Sequence, residues 1–218
     1  METKKLKKIL KEFGDKVQFE YNLKKRNWFN IGGTSKVFYI ADDLKELVRF
    51  LKTLQNQEKI FILGAGSNTL ITDKMFDGIV IKLGKNFKNI SLLGKDVLIA
   101  GSGVLDKSLS DFALQNDLSE FEFLSCIPGT IGGGIRMNAG CFEKEFKDIL
   151  LSIQAIDKFG NVITIPRDKI NFDYRTSNLS EDLIFLSASF KGKKTDAKTI
   201  SQEVKKLRIK KEMNQPTM

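Results

Sequence analysis

Apolar residues at helical spacing open the chain. Leu6, Ile9, Leu10 and Phe13 fall on one face, and Gly14 closes the segment. Trp28 and Phe29 lead into Asn30, Ile31, Gly32 and Gly33, a turn, and the apolar run 37–41 predicts a strand. Asp43 and Glu46 have the spacing of a capping box and open a helix with Leu44, Leu47, Val48 and Leu51 on one side. Residues 60–63 predict a second strand, so a β-α-β unit ends at a glycine-rich loop of the kind that meets ligands. Further strands are predicted at 79–83, 87–92 and 97–100, punctuated by Gly78, Gly84 and Gly94. A helix is predicted over 108–115, with Leu109, Phe112 and Ala113 as its stripe. Runs 151–156 and 161–165 bracket Asp157, Lys158, Phe159 and Gly160, a hairpin signal. A strand follows at 183–190. A long helix then starts near Thr195, carries Ile200, Val204 and Leu207, and is stopped by Asn214, Gln215 and Pro216. Short strands with few helices between the middle ones predict an α+β fold and fit a doubly wound sheet less well.

Composition changes this picture little. With 218 residues, 41% hydrophobic and 29% charged, the chain can bury one large core or two small ones. Its apolar runs are too short to cross a bilayer, and no leader-type segment is evident, so a cytoplasmic location and no membrane partner are expected. Two cysteines, Cys126 and Cys141, make no disulfide framework, although they flank a glycine-rich segment and could lie near each other. Histidine is absent, which removes the usual general base and most zinc sites, and no metal is expected.

The net charge of +9 is unevenly placed. Residues 191–218 hold nine Lys or Arg against three acidic residues, residues 1–11 hold five against one, and the stretch between has a net charge of −1. Solvated lysine faces on terminal helices account for this. With little aromatic interleaving, no nucleic-acid partner is expected, and steering of an anionic ligand stays open.

The candidate chemistry lies in three loops and one arginine. Gly64, Ala65, Gly66, Ser67 and Asn68 form a turn whose successive N–H groups could cradle phosphate oxygens, or which could be only a tight turn. It matches neither the Gly-x-Gly-x-x-Gly fingerprint nor a P-loop. Gly101, Ser102 and Gly103 repeat the pattern. Pro128, Gly129 and Thr130 precede Gly132, Gly133 and Gly134, a triplet that forms helices and strands poorly. It suits either close packing or backbone passing along a ligand. Arg175, beside Tyr174, is one of few arginines in a lysine-rich chain. Alone it could be a structural ion pair.

Taken in order, Asn30-Ile31-Gly32-Gly33, Gly64-Ala65-Gly66-Ser67-Asn68, Glu122-Phe123-Leu124-Ser125-Cys126-Ile127-Pro128-Gly129-Thr130, Gly132-Gly133-Gly134, Met137-Asn138-Ala139-Gly140 and Phe172-Asp173-Tyr174-Arg175-Thr176-Ser177 carry a resemblance. The chain resembles the UDP-N-acetylenolpyruvoylglucosamine reductases, bacterial flavoenzymes of peptidoglycan precursor synthesis. The resemblance implies an FAD-binding fold of the vanillyl-alcohol-oxidase type, with two α+β subdomains and the cofactor between them. It divides the chain into 1–83, 84–190 and a basic C-terminal helix over 191–218 that links to a substrate-binding domain.

By the same resemblance, Gly64, Ala65, Gly66, Ser67 and Asn68 hold the FAD diphosphate. Gly101, Gly103, Pro128, Gly129, Thr130, Gly132, Gly133 and Asn138 line the cofactor. Arg175 is the catalytic arginine beside the substrate's enolpyruvyl carboxylate, with Tyr174 next to it as a packing or positioning group. The implied reaction is the NADPH-dependent, FAD-mediated reduction of UDP-N-acetylglucosamine enolpyruvate to UDP-N-acetylmuramate, by a monomer.

Four positions depart from the family pattern. Gly134 stands where many members carry Ala. Arg136, where a small residue is common, either reaches a phosphate or points to solvent. Cys141 and Phe142 replace small and aromatic residues. The family's proton-donating serine segment and a later glutamate have no counterpart in these residues. The expectation is therefore a shortened form whose turnover is left open. Two other readings remain: a non-catalytic flavin-binding fragment, and a lysine-rich structural or nucleic-acid-interacting protein.

Overall fold

The computed structural model describes residues 3–214. These form two compact units. The first takes in the chain up to residue 87 together with 155–163 and 180–184, and the second takes in 88–154, 164–179 and 185 onward.

In the first unit, α1 (Thr3–Leu10) ends earlier than its periodicity suggests. Phe13 lies in a 3-10 turn, Lys11–Lys16, where Gly14 adopts a left-handed φ of 55°. There follow β1 (Val17–Asn22), β2 (Thr34–Ala41), α2 (Leu44–Leu54), β3 (Ile60–Ile62) and β4 (Phe76–Leu83). The sheet order is β1-β2-β4-β3, with β1 antiparallel to β2 and the other pairings parallel. The predicted β-α-β unit is present, and β4 is inserted between its two strands.

β2 is apolar from residue 37 to 41 because both its faces are covered there. On one side Tyr39 stacks on Phe50 of α2 at 3.8 Å, and on the other Phe38 stacks on Tyr21 at 4.3 Å and clusters with Leu23, Leu63 and Val80. Burying one such aromatic contributes about 1.5–3 kcal/mol. The predicted capping box of α2 forms by half. Asp43 accepts from the Glu46 N–H at 2.8 Å, while the Glu46 carboxylate turns to the Asp42 N–H and to Lys16.

The second unit begins with β5 (Ile90–Leu93) and β6 (Val97–Gly101). The strand predicted from residue 87 starts three residues later, because Lys85–Phe87 forms a 3-10 turn that buries Phe87. Next come α3 (Asp106–Gln115), β7 (Leu118–Ser119), a 3-10 turn over Glu122–Cys126, α4 (Ile131–Arg136), β8 (Gly140–Cys141) and β9 (Lys144–Glu145). The rest of the described chain is α5 (Phe146–Ile149), β10 (Leu150–Ile156), β11 (Val162–Pro166), β12 (Ile184–Lys191), β13 (Lys193–Lys194) and α6 (Ala197–Asn214), of which residues 155–163 and 184 count with the first unit.

Five strands form one sheet in the order β11-β10-β12-β6-β5. The hairpin signal at 157–160 is a turn between neighbouring strands, closed by the Asp157 N–H on the Asn161 carbonyl at 3.0 Å. Phe121, Phe123, Phe146 and Phe190 pack edge to face at 6.0–6.4 Å in the core. α6 is capped by Asp196, which accepts from the Thr199 N–H at 2.9 Å, and it buries Ile200 and Val204; Lys198, Lys205, Lys206 and Lys210 are exposed, while Lys211 donates to the Cys126 carbonyl at 2.7 Å. The predicted stop at Gln215 and Pro216 lies outside the described residues. The fold is α+β, and among the described residues no helix is long and apolar enough to cross a membrane.

Candidate functional site

In the first unit the loop after β3 carries Gly64, Ala65 and Ser67 half-buried, Gly66 buried and Asn68 exposed. Gly66 has φ 70°, and a Cβ there would lie 2.3 Å from the Arg26 carbonyl oxygen. Its own carbonyl accepts from the Trp28 N–H at 3.0 Å. Packing against residues 26–28 therefore requires glycine at 66 by itself. The loop also has a cation beside it. Lys82, a half-buried residue on β4, donates from Nζ to the Gly64 carbonyl at 3.2 Å. A lysine breaking the apolar run 79–83 is the signal that sequence reasoning missed.

In the second unit, main-chain bonds join the predicted segments 101–103 and 128–134, with 104–106 continuing the first. Ile131 N–H donates to the Val104 carbonyl at 2.9 Å, Gly132 N–H to Ser102 at 2.9 Å and Asp106 N–H to Gly129 at 3.2 Å, and Leu105 bridges Thr130. Gly101, Gly103, Gly129, Thr130 and Gly132 thus belong to one local assembly, with Pro128 exposed at its edge. Two polar side chains inside it make no hydrogen bond: the Ser102 hydroxyl and both oxygens of Asp106. Burial alone raises the Asp106 carboxyl well above the usual carboxylate range. Neither residue announces itself in the sequence, where Asp106 is an ordinary acidic residue at a helix start.

The glycine triplet is helical, contrary to its propensity, because α4 takes it in. Packing explains two of the three. A Cβ on Gly134 would lie 2.2 Å from the Phe146 ring, and one on Gly132 would lie 3.0 Å from the Ser102 side chain. Gly133 is exposed, and its Cβ would meet only the Thr130 hydroxyl at 3.6 Å. The reading of close packing applies to Gly132 and Gly134. Gly133 is the position where main chain is open to a ligand.

Asn138 is 1% exposed with a left-handed φ of 40°. Its Nδ2 donates to Glu145 at 3.0 Å and to the Asp173 carbonyl at 3.2 Å, and its Oδ1 accepts from the Lys147 N–H at 3.2 Å. The side chain is thus spent on the protein, and it anchors the neighbouring arginine turn. Arg136 takes neither predicted course. Its Nη1 donates to the Leu179 carbonyl at 2.9 Å and its guanidinium lies 4.1 Å from the Phe185 ring centroid.

Tyr174 and Arg175 form the two-residue tip of a tight hairpin closed by Asp173 and Thr176, whose main chains exchange bonds at 3.0 and 3.3 Å. Both tip residues are exposed, and Arg175 has φ 59°. Its guanidinium lies 5.4 Å from the Tyr174 ring centroid and helps hold the Glu145 carboxyl below its usual range, after Lys147 and Asn138. Arg175 thus projects from an exposed tip whose base is held by Asn138.

A family model described as an FAD binding domain matches residues 35–166. Over 217 residues the chain is 61% identical to the UDP-N-acetylenolpyruvoylglucosamine reductase of Pelagibacter ubique, covering 100% of this chain and 72% of that protein. The chain belongs to the UDP-N-acetylenolpyruvoylglucosamine reductase family. A reductase of this family from Rickettsia akari is 44% identical, covering 95% of this chain and 70% of the relative. The crystal structure of the family member from Thermus caldophilus superposes with a TM-score of 0.81 at 26% identity, covering 92% of this chain and 71% of that one. p-Cresol methylhydroxylase shares the fold alone, with a TM-score of 0.60 at 14% identity over 88% of this chain and 43% of that one.

Membership in this reductase family, with its FAD binding domain, makes FAD the cofactor, and the residues present fit it. One unit offers a glycine loop with Lys82 against its main chain. The other offers an open Gly133 and the orphaned Ser102 hydroxyl within one bonded assembly. Buried polar groups without partners cost about 1–3 kcal/mol each, so a polar ligand is the natural complement of such a surface.

Proposed function

We propose that the chain serves the NADPH-dependent reduction of UDP-N-acetylglucosamine enolpyruvate to UDP-N-acetylmuramate, as a cytoplasmic monomer. The supporting observation is the 61% identity to a reductase named for this enolpyruvyl sugar. In this reading the loop 64–68 holds the FAD diphosphate with its N–H groups, and Lys82 offsets the charge. Gly101, Gly103, Pro128, Gly129, Thr130, Gly132 and Gly133 line the cofactor. Bound FAD supplies the redox step, taking reducing equivalents from NADPH and passing them to the enolpyruvyl carbon.

The chain's own contribution to the chemistry centres on Arg175. A guanidinium stays charged at any working pH and can meet a carboxylate with two parallel donors. On the enolpyruvyl carboxylate it would stabilise the negative charge that builds as hydride arrives, which is where a fixed charge lowers a barrier most. Asn138 and Asp173 hold its turn, and Tyr174 flanks the guanidinium. Arg175 is in the left-handed region, at a cost of about 1–2 kcal/mol, and strain of this kind gathers where function needs a side chain aimed.

The test is flavin uptake followed by turnover on one sample. The purified chain should take up FAD and show a flavin spectrum, then oxidise NADPH when given the enolpyruvyl sugar. Uptake of FMN in preference to FAD, or of no flavin, would overturn the diphosphate assignment. Flavin without turnover would make the chain a flavin-binding module.

A further inference from the structure

Asp106 is fully buried at the start of α3, and neither of its carboxylate oxygens has a hydrogen-bond partner. It lies directly against the loop that precedes the glycine helix. Its N–H donates to the Gly129 carbonyl at 3.2 Å, and its Oδ2 lies 2.6 Å from where a Cβ of Gly129 would stand. The carboxyl therefore occupies the space that a side chain at 129 would fill and supports the loop from behind.

The surroundings hold no charge to balance an ionised acid. Residues 101–105 and 127–131, which pack against it, contain no ionisable side chain. On α3 itself Lys107 is exposed, and Asp111 is engaged by Arg208 of α6 at 3.6 Å. Glu122, in the turn packed on α3, and Arg136 of α4, committed to Leu179 and Phe185, do not act on it. Burial in this space raises the carboxyl well above the usual carboxylate range.

We propose that Asp106 is a positioning residue for the cofactor loop: as an uncharged acid it seats Pro128, Gly129 and Thr130 in the shape that receives FAD, and its ionisation unseats them. An ionised carboxylate in this dry space must draw in water or move toward it, and the atoms in its way are those of Gly129. The proton on Asp106 is thereby coupled to FAD affinity, although the residue need not touch the cofactor. This rests on the assignment of residues 128–130 to the FAD site.

The experiment is FAD titration of the full chain, followed by flavin fluorescence from about pH 6 to about pH 9, for the wild type and Asp106→Asn. Asparagine is an uncharged isostere of the protonated acid. Wild-type affinity should fall as pH rises, approaching the tenfold per pH unit of a single proton. Asp106→Asn should stay near the wild-type low-pH affinity throughout. Parallel curves for the two proteins would overturn the proposal and leave the FAD assignment standing. Failure of the wild type to bind FAD at any pH would overturn both. Denaturant unfolding of the cofactor-free wild type supplies a reading if Asp106→Asn does not fold. A carboxyl raised in the folded state binds more protons there than in the unfolded chain, so stability must fall as pH rises above the ordinary carboxylate range. A flat profile would overturn the proposal.

Discussion

Asn138 Nδ2 lies 3.2 Å from the Asp173 carbonyl oxygen, so the segment after the glycine helix holds the base of the hairpin that carries Arg175. The same side chain binds Glu145 and the Lys147 N–H, which places three anchors on one buried amide. Asn138→Ala removes them and leaves alanine at a left-handed φ. The expected loss is about 2–4 kcal/mol in denaturant unfolding, from hydrogen bonds left unmade and backbone strain. Glu145 adds a pH signature. The Lys147 ammonium first, then Asn138, hold its carboxyl below the usual glutamate range. Its contribution is present above that range and is lost as pH falls through the lowered folded-state range. Asn138→Ala should shrink this acid-side loss.

Gly133 and Gly134 should respond in opposite ways to alanine. At 134 a Cβ would lie 2.2 Å from the Phe146 ring, so Gly134→Ala should destabilise by about 1–3 kcal/mol through overpacking. Phe146→Leu in the same chain should recover part of that loss. At 133 the space is open, and Gly133→Ala should leave stability unchanged or raise it by up to about 1 kcal/mol, as expected for a helix interior. If main chain at 133 receives the cofactor, FAD affinity should fall there with no loss of stability. Thermal melts with and without FAD separate the two effects.

The β-α-β unit is legible in the sequence because each part has a local cause: an apolar run covered on both faces, an Asp–Glu helix start and a glycine stop. The insertion of β4 between β2 and β3 is not legible, since parallel pairing joins residues distant along the chain. The candidate site divides along the same line. The glycines of 64–68 and 128–134 stand out by composition, but their reasons differ. Gly66 answers to Arg26, Gly134 to Phe146, while Gly133 faces open space. Ser102 and Asp106 look ordinary in sequence because their isolation depends on neighbours that tertiary packing brings or withholds. Arg136 reads as a free cation until the Phe185 ring and the Leu179 carbonyl are seen beside it.

Lys82 should matter to FAD through charge. It is half-buried on β4, with its Nζ at 3.2 Å from the Gly64 carbonyl. A diphosphate in that loop would gain from the nearby ammonium, and the gain should be screened by salt. Lys82→Met keeps the aliphatic stem and removes the charge. FAD affinity at low ionic strength should fall by about tenfold, and the difference from wild type should narrow as salt is added. An identical salt slope in both proteins would remove Lys82 from the cofactor's surroundings.

Arg175→Gly should separate stability from chemistry. Arginine at φ 59° carries a cost that glycine does not, so the glycine variant should be as stable as wild type or more stable by about 1 kcal/mol. The exposed guanidinium lies against the Tyr174 ring, outside the core. Substrate chemistry should move the other way. Loss of the charge that meets the enolpyruvyl carboxylate should slow reoxidation of the reduced flavin by that substrate about 10²-fold or more. Arg175→Lys should recover only part of the rate, because an ammonium cannot match the two-pronged geometry. Stopped-flow reoxidation and denaturant unfolding on the same preparations check both halves. A glycine variant that is less stable, or that reoxidises at the wild-type rate, would make this arginine a structural residue.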